Sequence, residues 1–124
     1  MAKETTLSKR GQGEAAETAA LHYLEHHGLN LVERNFYCKS GELDLIMRDG
    51  TYLVFVEVRS RRSTRFGRAV ETVAYRKQQR LLRSAAFYLQ KHRLDLPCRF
   101  DIVGINRNSD SVQVEWVKDA FQAF

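Results

Sequence analysis

Hydrophobic and polar positions alternate most cleanly in GELDLIMRDGTYLVFVEV, where Asp49-Gly50 separates two β-rich runs and predicts a two-residue hairpin turn. If Arg48 pairs with Thr51, one face holds Leu43, Leu45, Met47, Tyr52, Val54, Val56 and Val58, all apolar. The other face holds Glu42, Asp44, Ile46, Leu53, Phe55, Glu57 and Arg59. Half apolar, it is expected to be covered, with the first helix as the nearest cover. That helix is predicted over residues 9–27, with Ala16, Ala20 and Leu24 on one stripe, Ser8 as N-cap and Gly28 as stop. LNLVERNFYC, residues 29–38, reads as a strand.

Residues 70–92 predict a second helix with Ala74, Gln78, Leu81, Leu82, Ala85 and Leu89 towards the core. Arg76, Arg80 and Arg83 line up on another of its sides. Beyond Pro97, CRFDIVGI and SVQVEWV predict two strands joined by the polar turn NRNSD. The expected fold is therefore α/β: one domain over residues 1–124, in the order helix, three strands, helix, two strands. A strand, a helix and a returning strand make a crossover, so the sheet should be mixed.

Composition leaves this picture intact. Of the 124 residues 44% are hydrophobic and 28% charged, values of an ordinary globular chain. No apolar run approaches the roughly 20 residues that span a bilayer, and MAKETTLSKR lacks a secretory core. Cys38 and Cys98 form no C-x-x-C pair and read as free thiols, which together point to a cytoplasmic protein without a membrane partner.

Charge does change it. From Arg59 to Arg93 there are eleven Lys and Arg against one acid, Glu71, while the remaining residues carry nine bases and fourteen acids. Such asymmetry suggests a basic surface for an anionic partner, nucleic acid foremost, although a solvated basic helix explains it as well.

In the assumed register Glu57 lies opposite Glu42 and diagonal to Asp44, about 5 Å and 7–8 Å apart at Cβ. Carboxylates gathered on a half-apolar face need compensation. A Mg²⁺ or Mn²⁺ ion provides it; salt bridges to Arg59 and Arg61 are the alternative. Glu14, near the start of the covering helix, joins as a rim ligand or serves only the helix dipole. His22 and His26 at i, i+4 lack an H-E-x-x-H motif, Trp116 reads as core, and no P-loop or G-x-S-x-G elbow is present.

GQGEAAETAALHYLEHHG, ERNFYCKSGELDLIMRDG, VFVEVRSRRSTRFG and KQQRLLRSAAFYL resemble the YraN-type family of small bacterial proteins. That family is similar to archaeal Holliday-junction resolvases of the PD-(D/E)xK nuclease superfamily, whose fold is restriction-endonuclease-like. The resemblance implies a metal-dependent endonuclease acting on DNA, branched DNA included, and suggests a homodimer. Asp44 corresponds to the superfamily's strand aspartate, Glu57 to the acid of its E-x-K element and Glu14 to a helical glutamate of some members. The expected lysine is Arg59 here. Arginine stays charged and can only orient or stabilise, so either Arg59 clamps phosphate or Lys77 reaches in from the second helix. Arg61, Arg62, Arg65, Arg76, Lys77, Arg80 and Arg83 are the expected backbone contacts. The competing class is a nuclease-like binding or adaptor protein without chemistry.

Overall fold

A computed structural model describes residues 9–62, 73–107 and 111–122. The elements are α1 (Lys9–His26), β1 (Asn30–Cys38), β2 (Gly41–Asp49), β3 (Tyr52–Arg62), α2 (Tyr75–Lys91), β4 (Cys98–Arg107) and β5 (Val112–Phe121). Their order is the predicted one. Five strands form one sheet in the order β1-β2-β3-β4-β5. β3 and β4 pair in parallel and the other neighbours are antiparallel. The parallel pair needs a crossover, which α2 supplies.

Helix ends follow local chemistry. Gly28 has φ +97° and its N–H bonds to Glu25 O, while Leu29 N–H bonds to Leu24 O. That is a Schellman stop, with Leu24 and Leu29 buried together. α2 begins at Tyr75 rather than residue 70; Ala74 before it is extended, at φ −58° and ψ 149°. Residues 70–72, like the expected N-cap Ser8, lie outside the described residues. No described helix is long and apolar enough to cross a membrane.

Each helix covers one face of the sheet, but not as expected. α1 lays Ala16, Ala20, Leu21 and Leu24 on Leu45, Met47, Val54, Val56, Val103 and Ile105. α2 lays Leu81, Ala85 and Tyr88 on Ile46, Leu53, Phe55, Phe100 and Ile102. The face that carries Glu57 is therefore covered by α2, not α1. Side-chain size accounts for the partition. The alanine stripe of α1 approaches the valine-rich face closely, whereas Tyr88 fills the aromatic side edge-on to Phe36 and Phe55, with ring centroids 4.9 and 6.1 Å away.

The β2–β3 register also differs. Asp49 pairs with Tyr52, so Gly50 and Thr51 form the turn. Gly50 at φ +62° suits the first turn position of a II′ hairpin. The slip relative to Arg48–Thr51 moves the pairing by two residues, which preserves the faces but brings Asp44, not Glu42, level with Glu57.

Candidate functional site

The regular β2–β3 ladder ends at Leu45–Val56. On the other side of β2 the ladder passes from Arg34–Leu45 to Phe36–Leu43, omitting Asn35 and Asp44. Both interruptions meet at Asp44. Past this point Leu43 joins the α2 layer with Ile46, instead of staying with Leu45 and Met47. β3 keeps its parallel pairing to β4 through Glu57–Ile102 and Arg59–Gly104. The sheet thus forks between β2 and β3 while β3 remains held along one edge.

Asp44 occupies the fork. Its Oδ2 accepts the Val58 N–H at 2.9 Å, where regular pairing to β2 has ceased. Glu57 is buried under α2, and Lys77 Nζ lies 3.1 Å from its Oε2. Among the described residues, Glu17, Glu42 and Asp44 bring carboxylate oxygens within 4.8 Å of one another. Asn35, held at φ +53°, bridges two of them. With its amide turned to satisfy both contacts, its nitrogen donates to Glu17 Oε1 at 2.9 Å and to Glu42 Oε2 at 2.8 Å. Arg34 lies 3.7 Å from Glu17 Oε1 and donates to Thr18 Oγ1 at 3.1 Å.

These neighbours do not balance the charge. Burial and the adjacent Glu57 push the Asp44 carboxyl up to about 8, against an opposing hydrogen bond from Val58. Burial and Glu42 also raise Glu17, with Arg34 and Asn35 acting against them. A cation would relieve both at once.

The family described as "Uncharacterised protein family UPF0102" matches residues 16–105, most of the chain. The chain belongs to the UPF0102 family. A UPF0102 protein of Nitrosococcus oceani is 47% identical over 115 residues, covering 91% of this chain and 93% of that protein. One from Stutzerimonas stutzeri is 47% identical over 116 residues, covering 92% and 97%. A UPF0102 protein of Legionella pneumophila is 44% identical over 114 residues, covering 90% and 95%.

In this UPF0102 chain the residues singled out from sequence divide into three groups. Asp44, Glu57 and Lys77 come together at the fork. Glu14 lies exposed on α1, and the α1 carboxylate that meets Glu42 and Asp44 is Glu17. Glu17 stands three, four and seven residues before Ala20, Leu21 and Leu24, so helical spacing alone turns it towards the sheet. Glu57 pairs with Lys77 of α2. Arg59 is half-buried on β3 beyond the fork. Arg76, Arg80 and Arg83 are exposed on α2. Arg65 and the side chains of Arg61 and Arg62 lie outside the described residues.

Trp116 is half-buried and packs against the α1-side core, as expected, and donates to Asp101 at 2.9 Å. The fully buried Asp101 also receives Arg99 and the Asp119 N–H, so that carboxylate serves a closed structural network.

Proposed function

We propose that this UPF0102 protein is a metal-dependent endonuclease acting on DNA, with branched DNA as a substrate class. The observation that carries this is the fork itself, where Asp44 stands beside the Glu57–Lys77 pair and the basic helix α2 borders it. The resemblance of GELDLI and VFVEVR to the PD-(D/E)xK superfamily supports the same conclusion.

The donor set fits a hard divalent cation. Mg²⁺ and Mn²⁺ take oxygen ligands and need few carboxylates, and burial with the neighbouring Glu57 raises Asp44, a penalty a cation would offset. Asp44 would hold the ion together with Glu42, with Glu17 and Glu57 at its margins. A bound ion supplies Lewis-acid polarisation of the phosphoryl oxygen and lowers the pKa of a bound water. The protein's own groups then divide the work. Asn35 and Arg34 orient Glu17. Lys77, anchored by Glu57, presents an ammonium to the phosphate from α2, which compensates for the Arg59 found where the superfamily has lysine. Arg59 contributes fixed charge.

The test is Mn²⁺-dependent nicking of linear, flapped and four-way DNA by purified protein, with Glu57→Gln as the control for contaminating nuclease. Wild type should nick, and Lys77→Ala should lose roughly a hundredfold or more in rate while still binding Mn²⁺. Cleavage that survives in Glu57→Gln would assign the activity elsewhere. One observation favours a second reading, a DNA-binding protein without hydrolysis. The Lys77–Glu57 pair and the Asn35 bridge satisfy much of the cluster with protein groups alone. DNA binding with no cleavage in wild type or Arg59→Lys would select it.

A further inference from the structure

A small recess of about 80 Å³ opens between α2 and the β1–β2 turn, beside the fork. Glu42 and Asp44 form its acidic wall; Lys77, Arg80 and Ser84 come from α2. Those three share one stripe of the helix, at i, i+3 and i+7. Ser84 is only 1% exposed, and its hydroxyl has no hydrogen-bond partner beyond the neighbouring Cys38 thiol, a weak one. A buried hydroxyl served only by a thiol keeps capacity for a stronger acceptor, which a ligand in the recess would supply.

The turn places no side chain of its own at Gly41, the residue beside that hydroxyl. Gly41 lies at φ +146°, and a Cβ there would stand 3.7 Å from Ser84 Oγ. A side chain would be strained and would sit over the mouth of the recess. The same corner already favours negative charge. Burial raises the Cys38 thiol, but the nearby Ser84 hydroxyl and the N–H groups of Ser40 and Gly41 outweigh it and hold the thiol below its ordinary value.

We propose that this recess is a phosphate subsite for the nucleic-acid strand, in which Lys77, Arg80 and the Ser84 hydroxyl receive the non-bridging oxygens of one phosphodiester. A tetrahedral oxyanion offers enough acceptor sites for two cations and a hydroxyl at once. Glu42 and Asp44, which would hold the cation of the reading above, line the same recess. The subsite rests on the nucleic-acid reading above and adds Ser84 as a positioning residue.

Two measurements test it, both with Ca²⁺ present and a fluorescent four-way DNA as the probe. In anisotropy titrations Ser84→Ala should bind roughly two- to tenfold more weakly. Its thermal midpoint should be little changed, because the hydroxyl gives up only a weak thiol partner. In the Cys98→Ser background, saturating DNA should slow iodoacetamide alkylation of Cys38, whose ladder partner Gly41 lines the recess. Should Ser84→Ala fail to fold, the exposed Arg80→Gln carries the same comparison. Wild-type affinity in the variant, or undiminished alkylation of Cys38 in the DNA complex, overturns the subsite while leaving DNA binding standing. Absence of any DNA binding by wild type overturns both.

Discussion

Asp44 is where burial and a neighbouring acid act together against ionisation. Its folded-state pKa of about 8 lies above the ordinary value of 3.8. The folded protein therefore holds a proton that the unfolded chain releases. The resulting stabilisation is complete below about pH 4 and is lost as pH rises to about 8. Asp44→Asn keeps an acceptor for the Val58 N–H but cannot titrate. Urea unfolding across that range should give a flatter pH profile for Asp44→Asn than for metal-free wild type; parallel profiles would show Asp44 ionised throughout. Asn35 makes a second test. Its left-handed backbone and two carboxylate bonds suit asparagine, so Asn35→Ala should cost roughly 2 kcal/mol in the same measurement. A loss below about 0.5 kcal/mol would mean the bridge does not form. At this scale the sequence identifies Asp44, Glu57 and Lys77, but Glu14 draws attention ahead of Glu17. The resemblance carries Glu14, while the turn towards the sheet belongs to the acid on the flank of the buried stripe.

Among the elements, β2 and β3 contribute the fork and α2 the basic wall. Alternation along the hairpin correctly pairs Leu45, Met47, Val54 and Val56 on one face. It cannot detect the two-residue slip in register, because side chains repeat with period two. Nor can it detect the interruption at Asp44, which sends Leu43 into the opposite layer. Which helix covers which face was equally hidden: both faces are apolar enough to be buried, and only the fit of alanines to valines and of Tyr88 to Phe55 separates them. The outward arginines of α2 carry the element's own prediction. Replacing Arg76, Arg80 and Arg83 together with glutamine should reduce the slope of log affinity for DNA against log salt by up to roughly three. An unchanged slope would remove this helix face from the DNA interface.

For the molecule as a whole, a net charge of +5 conceals a basic segment set against acidic surroundings. The fold brings part of that segment, α2, against the acids of β2, which also meet Glu17 of α1. The order of elements and the mixed sheet were legible from periodicity and turn residues. The meeting of the acids with Lys77 was less so, since it depends on the α2 layer packing over the fork. Burial and Glu57 raise Asp44 at that meeting point, and the cation proposed there is most directly tested by Mn²⁺ binding. Electron paramagnetic resonance of Mn²⁺ titrated into metal-free protein near pH 8 should show a saturable bound fraction in wild type. Asp44→Asn, folded by circular dichroism, should lose it. Equal binding by both proteins, or no bound fraction in folded wild type, would contradict a metal site at the fork.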